Sequence, residues 1–257
     1  MKITGIQFDL KWEEKSPNHE RVRELLAAAA PERGSLVVLP EMFASGFSMN
    51  AAAIDDTETR ETQDFLSRTA REDGIYLQAG LVRRNSAGRP ANQSIVFDPE
   101  GTEVARYEKI FPFTPGGESA AYAAGDRISL YEWGGFTVAS FICYDLRFPE
   151  IFRLAAARGA TLYTVIASWP EARTSHWMTL LQARAIENQA YVIGVNRCGR
   201  DPYLGYSGRS LIIDPLGAIL ADGGTEDGVI TAELDREALD QYRERLPFLR
   251  DMRTIAG

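Results

Sequence analysis

Two cysteines and two histidines are all that 257 residues offer to thiol, imidazole or soft-metal chemistry. Cys143 and Cys198 lie far apart in unlike contexts, which fits neither a Cys-x-x-Cys redox pair nor a zinc site. There is no histidine-carboxylate ligand cluster and no glycine-rich phosphate loop, so neither a metal nor a cofactor is expected. Positive charge is also scarce: 28 Lys and Arg against 36 Asp and Glu leave a net charge of −8. Without a basic excess to replace counterions, neither nucleic acid nor an anionic membrane is an expected partner. No stretch approaches the roughly 18 apolar residues that span a bilayer. The opening Met-Lys-Ile-Thr-Gly-Ile-Gln-Phe-Asp-Leu is too short and polar for a signal peptide and reads as an edge of the fold, so a cytoplasmic location is expected.

What is present, 45% hydrophobic and 25% charged residues, is the composition of an ordinary soluble globular protein. The chain can bury a substantial core and shows no linker-like break, so one domain over 1–257 is expected. Ile3 to Leu10 alternates as a strand. Ser16 and Pro17 offer a cap and a first-turn proline to a helix whose Val22, Leu25, Leu26 and Ala29 keep helical spacing until Gly34. A short buried strand, Ser35 to Leu39, ends at Pro40 and Glu41, and a helix is predicted from about Glu58 to Asp73. Three consecutive strands follow, Ile75 to Arg84, Gln93 to Phe97 and Glu103 to Ile110, with a second antiparallel pair at Arg209 to Ile213 and Ala218 to Ala221. The turns at Asp98-Pro99-Glu100-Gly101 and Asp214-Pro215-Leu216-Gly217 share one chemistry and hint at two similar halves. Between them strands at Phe136 to Ile142, Thr161 to Ala167 and Tyr191 to Val195 alternate with helices, the second from about Ser175 to Gln189. Gly228 to Leu234 adds a strand and Arg236 to Arg245 a polar helix. The pattern implies an α/β fold with mixed sheets, and about ten strands fit two helix-covered sheets better than one.

The chain is organised around Gly135 to Gly159. Phe136 to Ile142 reads as a buried strand, and Pro149, Glu150 and Gly159 suit the first turn and the C′ position of the helix beyond. Cys143 therefore sits where strand gives way to loop, a place where backbone N–H groups can converge on an anion. Taken alone, such a cysteine is more often a small core residue than a nucleophile, and Cys198 is read that way. An ordinary thiol, with a pKa of about 8.5, also needs a neighbour to ionise it at neutral pH.

The usual base would be histidine, but His19 and His176 both fall on helices, away from strand ends. Glu41 follows Leu-Val-Val-Leu-Pro at the end of a strand that wants burial. A partly desolvated glutamate there can take a proton from a thiol and return it to a leaving amine, although a loop charge is the plainer reading. Lys109 ends another strand and precedes an aromatic loop; singly, it would be a solvated lysine. A serine nucleophile is disfavoured because Gly205-Tyr206-Ser207-Gly208-Arg209 lacks the last glycine of a nucleophile elbow.

Together, Leu-Pro-Glu41, Tyr-x-Lys109 and Cys143-Tyr-Asp-Leu-Arg-Phe-Pro-Glu150 resemble the Glu-Lys-Cys motifs of the nitrilase, or carbon-nitrogen hydrolase, superfamily. The likeness runs along nearly the whole chain, through Gly5-Ile6-Gln7, Ser168-Trp169-Pro170 and Gln182 to Asn196. It departs after Lys109, where Ile-Phe replaces an Ile-His common in the family, a difference that touches local loop packing. The resemblance implies an α-β-β-α sandwich with two mixed sheets. It makes Glu41 the general base and Cys143 the nucleophile, with Lys109 and the backbone N–H of Tyr144 holding the oxyanion. Glu118 matches a second glutamate of many members and would orient Lys109 and the substrate amide. Asp145 and Arg147 would brace the turn by an ion pair or backbone hydrogen bonds, and Arg184 and Glu187 would serve structure or a subunit contact.

Within the superfamily, the cysteine motif, Trp169-Pro170 with Arg173, and Ala-Arg-Ala-Ile-Glu-Asn-Gln look most like omega-amidases, which release ammonia from the terminal amide of 2-oxo dicarboxylic monoamides through a Cys thioester. Such a substrate carries a remote carboxylate that Arg173 could pair bidentately, with Trp169 or Phe43 as pocket walls. Hydrolysis of N-carbamoyl compounds, simple amides or nitriles remains open, as does a silent small-molecule or partner-binding protein. Family members pair around the cysteine turn, so a homodimer or larger homo-oligomer is expected.

Overall fold

Leu36 and Val38 pack into one hydrophobic cluster while Val37 and Leu39 pack into another, the strand alternation that lets one thin sheet serve two cores. The computed structural model describes residues 1–253; the last residues of the expected 1–257 domain lie outside the described range. The first sheet has six strands in the order β14-β1-β2-β3-β4-β5. These are β1 (Lys2–Gln7), β2 (Leu36–Val38), β3 (Tyr76–Arg84), β4 (Pro90–Phe97), β5 (Glu103–Glu108) and β14 (Gly228–Glu233). The second sheet runs β13-β12-β9-β8-β7-β6. It contains β6 (Leu130–Trp133), β7 (Phe136–Ile142), β8 (Leu162–Ala167), β9 (Tyr191–Asn196), β12 (Leu211–Ile213) and β13 (Ile219–Asp222). Each sheet has a parallel centre, β1-β2-β3 in one and β7-β8-β9 in the other, flanked by antiparallel edges.

Helices cover the outer faces. α1 (Lys15–Ala29) and α3 (Glu61–Asp73) set Val22, Leu26, Phe65 and Leu66 against the first sheet. On the second sheet, α5 (Pro149–Ala157), α6 (Thr174–Asn188) and α7 (Arg236–Arg245) contribute Phe152, Leu181 and Leu239 to the larger cluster, which also fills the space between the sheets. The result is the expected two-sheet α/β sandwich, an α-β-β-α arrangement. No helix among the described residues is long and apolar enough to cross a membrane.

Polar side chains also link the layers. Gln78 Nε2 lies 2.9, 3.1 and 2.8 Å from the Ser94, Ser140 and Thr164 hydroxyl oxygens, its two hydrogens shared among the three, and Oε1 accepts from Tyr131 at 3.1 Å, so one buried side chain joins both sheets. Both Asp-Pro-x-Gly turns form alike. Asp98 accepts from the amides of Glu100 and Thr102, Asp214 from those of Leu216 and Ala218, and Gly101 and Gly217 take φ of 77° and 87°.

Several boundaries differ from the sequence reading. α1 starts at Lys15 without a Ser16 cap and stops at Ala29, where Ala30 turns left-handed at φ 43°. α3 starts at Glu61 because the buried Asp56 carboxylate accepts the amides of Thr62 and Gln63 and so caps it from outside. Short elements escaped notice: β6, the hairpin β10 (Cys198–Arg200) with β11 (Gly205–Ser207), α2 (Ala51–Ile54) and α4 (Glu118–Ala121). They raise the strand number above about ten because three or four residues carry too little periodicity to register.

Candidate active site

β7 ends at Ile142, and Cys143 turns the chain abruptly at φ 47°, a left-handed conformation that costs a non-glycine residue about 1–2 kcal/mol. Asp145 pays for much of that turn. Its carboxylate accepts the Ile142 amide at 3.0 Å, the Phe111 amide at 2.9 Å and the Tyr107 hydroxyl at 2.7 Å. Complete burial pushes this carboxyl up to about 7, with Lys109 and the three donors pulling the other way. Asp145 thus braces the turn through hydrogen bonds, one of the two expected ways; Arg147 does not join it. Arg147 lies over the Trp169 ring at 4.8 Å with its guanidinium 3.3 Å from His176 Nδ1. Arg184 holds the turn from behind, donating to the Leu146 carbonyl at 2.6 Å and pairing with Glu187 at 2.9 Å.

Glu41 follows β2, and Met42 after it is also left-handed, at φ 45°. Gly80 lies so close that a Cβ there would meet Met42 N at 2.6 Å and Glu41 Cα at 2.7 Å. Glu41 is wholly buried, with every oxygen engaged: Oε1 accepts from Lys109 Nζ at 2.9 Å and Asn92 Nδ2 at 2.7 Å, and Oε2 accepts the Ser168 amide at 2.8 Å. Lys109, just past β5, is tied back to β4 by its amide on the Asn92 carbonyl at 2.9 Å. Its ammonium also reaches Glu118 Oε1 and Oε2 at 3.1 and 2.8 Å. Glu118 opens α4 and accepts the Phe113 amide at 2.5 Å.

Charges this deep are tolerable only when paired and hydrogen-bonded. Burial works against the Lys109 ammonium, but Glu41, Glu118 and Cys143 outweigh it and hold its pKa above the ordinary lysine value. For Cys143 the balance is opposite: burial first, then the Glu41 charge, push the thiol well above its usual range, with Lys109 pulling it down. The resting sulfur is therefore a thiol beside a carboxylate and an ammonium, so ionisation requires a proton acceptor.

Cys143 opens onto a small pocket. Phe47, Phe113, Tyr144 and Trp169 supply aromatic walls, Leu204 and Tyr206 reach in from the β10-β11 hairpin, and Arg147 and Arg173 bring two guanidiniums with no carboxylate among the lining residues. Trp169 donates its indole N–H to the Arg173 carbonyl at 2.8 Å, and the Arg173 guanidinium lies 5.6 Å over Phe113.

Phe43, expected as a wall, lies elsewhere. Its amide donates to the Gly80 carbonyl at 3.2 Å after the left-handed Met42, which turns the ring into the outer core 5.7 Å from His19 and 6.2 Å from Phe65. The chain comes back to the pocket at Phe47, after Gly46 at φ 75°. His19 is buried among those rings and pushed down to about 4 by desolvation. Cys198 is buried and donates to Asp227 at 3.2 Å. Asn92, Phe47 and Arg147 were not singled out from the sequence as site residues; Asn92 falls one residue before the strand expected at Gln93 and inside the observed β4.

A cysteine on a strained strand-to-helix turn of one sheet, beside a lysine and a glutamate carried by the other and a second glutamate on α4, defines a cysteine hydrolase of the nitrilase-like α-β-β-α kind. The carbon-nitrogen hydrolase family model matches residues 2–244, and the chain belongs to that family. It is 34% identical over 252 residues to a 2-oxoglutaramate amidase of Bacillus subtilis, covering 98% of this chain and 97% of that protein. It is 40% identical over 254 residues to an omega-amidase of Yersinia enterocolitica, covering 98% and 96%. Among solved structures, a Xanthomonas campestris CN-hydrolase superfamily protein with an arsenic adduct in its active site superposes with a TM-score of 0.94 at 32% identity, over 100% of this chain and 98% of that one. An amidase from Nesterenkonia sp., captured with the acetamide moiety of fluoroacetamide on its active-site cysteine, gives a TM-score of 0.87 at 29% identity, over 98% and 94%.

Proposed function

We propose that this hydrolase is an omega-amidase, cleaving the terminal amide of a small 2-oxo dicarboxylic monoamide such as 2-oxoglutaramate. The observation that carries the reading is the pocket's make-up: a thiol beside the buried Glu41–Lys109 pair, and two guanidiniums, Arg147 and Arg173, with no carboxylate among the described lining residues. That combination suits a substrate with an amide at one end and a carboxylate at the other. Similarity to the 2-oxoglutaramate amidase of Bacillus subtilis supports the same choice.

In this reading Glu41 takes the Cys143 proton as sulfur attacks the amide carbon. The carbonyl oxygen becomes an oxyanion held by Lys109 and the Tyr144 N–H; one such donor is typically worth about 3–4 kcal/mol. Glu41 returns the proton to the nitrogen as the C–N bond breaks, and ammonia leaves a thioester behind. Water, giving a proton to Glu41, attacks the thioester, the acid departs and the thiolate is reprotonated. Glu118 keeps Lys109 in place. Arg173 pairs with the remote carboxylate, and Trp169 forms a wall.

The same reading places the protein in the cytoplasm as a single domain that forms a homodimer or larger assembly around the cysteine turn. Leu154 on α5 and Ile186 on α6 are exposed apolar side chains on the helices outside the second sheet, which supports an assembly through that face; light scattering tests it. The function is tested by ammonia release from 2-oxoglutaramate, glutamine and an N-carbamoyl amino acid, with wild type and Cys143→Ala. The expected result is preference for the 2-oxo amide and loss of all turnover in the variant. Preference for the carbamoyl compound, or no turnover with an intact thiol, rejects it.

A further inference from the structure

Asn92 is the member of the cluster to which no role has been given. Its side-chain nitrogen donates to Glu41 Oε1 at 2.7 Å and to Glu118 Oε1 at 2.8 Å. The same two oxygens accept from Lys109 Nζ at 2.9 and 3.1 Å, so two nitrogens and two oxygens close a four-cornered ring. Asn92 is 1% exposed, and its side-chain oxygen Oδ1 is buried with no hydrogen-bond partner among the described residues. The amide orientation follows from charge: the alternative would press that oxygen against two carboxylates.

We propose that Asn92 is a positioning residue that lets two carboxylates share one lysine without merging into a proton-sharing pair. Two carboxylates this close tend to bind a common proton, as like charges in a dry site do. Lys109 alone cannot neutralise both. A second lysine would, but would also weaken Glu41 as a proton acceptor. A neutral amide with two hydrogens satisfies one oxygen on each and adds no charge, leaving Glu41 ionised and aimed. This rests on Glu41 being the base for Cys143. The other titratable groups that feel Glu41 are Lys109, Cys143, Tyr122 and Tyr206, and Glu118 stands across Asn92 and Lys109 from it.

The test is the pH dependence of Cys143 alkylation by iodoacetamide, mapped by mass, beside kcat and KM for ammonia release. In Asn92→Ala the acidic limb should move up by about one pH unit, and in the isosteric Asn92→Asp by more, because a third carboxylate joins the pair. kcat should fall roughly tenfold to a hundredfold with KM changed less than about threefold. Adding Glu118→Gln to Asn92→Ala should return the limb toward wild type, which a packing role would not do. Folded variants whose limb stays within about 0.3 of wild type overturn the proposal. If none folds, the wild-type Asn92 side-chain amide decides by NMR: both protons should lie downfield and move as the cluster titrates, and an amide that stays still rejects the role. Alkylation needs no substrate, so failure on 2-oxoglutaramate would reject the proposed substrate and leave this result standing.

Discussion

Tyr107 donates its hydroxyl to Asp145 across 2.7 Å, and through that bond the strand leading to Lys109 is fastened to the turn that presents Cys143. Both groups are fully buried, so the bond has no aqueous substitute. Tyr107→Phe should lower stability by about 1–3 kcal/mol, the usual penalty for stranding a buried partner. Activity should fall as well, because the lysine and the cysteine lose their shared anchor. Urea unfolding and ammonia release measure the two effects; unchanged turnover in a destabilised variant would separate the anchor from the chemistry.

Asp145 gives the protein a predictable response to pH. Its carboxyl titrates near 3.8 ordinarily and at about 7 in the fold, chiefly through burial. Between these values the folded protein holds a proton that the unfolded chain has released, so stability from this group is lost as pH rises through that interval, at about 1.4 kcal/mol for each pH unit, and changes no further above it. Asp145→Asn cannot titrate. The stability difference between wild type and this variant, measured in urea, should therefore favour wild type more at pH 4 than at pH 8.

Gly80→Ala is expected to act on catalysis from the middle of a strand. The new methyl would meet backbone atoms of Glu41 and Met42, neither of which is a flexible side-chain end. The carboxylate must shift, and a displacement near 1 Å can lower a rate about a hundredfold. Steady-state kinetics should show the loss in kcat, and a variant with wild-type kcat would mean that the strands part without moving Glu41.

The left-handed Cys143 makes two inactive variants unequal. Cys143→Ala keeps a Cβ at φ 47°, whereas Cys143→Gly relieves it. Thermal unfolding should place the glycine variant at or above the alanine one, by up to about 1 kcal/mol after allowing for glycine's looser unfolded state. A markedly less stable glycine variant would show that the turn is not strained.

Removing the charge of Arg173 should discriminate between substrates. Arg173→Gln should raise KM roughly tenfold or more for an amide bearing a remote carboxylate and leave a neutral amide of the same length nearly unaffected. Equal effects on both would remove Arg173 from carboxylate recognition.

Much of this arrangement was legible because its key residues sit at strand ends. β7 follows a run of apolar and β-branched residues broken only by Ser140, so its limits were readable, and with them the place of Cys143; Glu41 and Lys109 follow strands in the same way. The local signals failed where distant contacts decide. Asp56 rather than a neighbouring residue caps α3, and the path that sends Phe43 inward and Phe47 to the pocket depends on the backbone of Met42 and Gly46. Asn92 looks like any polar strand residue until the sheet aligns it with Glu41 and Glu118.

Glu41 and Lys109 ride on one sheet and Cys143 on the other, so the offset between the sheets sets where the reacting groups stand relative to each other. Gln78 acts as a dowel pin: its four partners line up at only one offset, so the reacting atoms are aligned by an amide buried between the sheets.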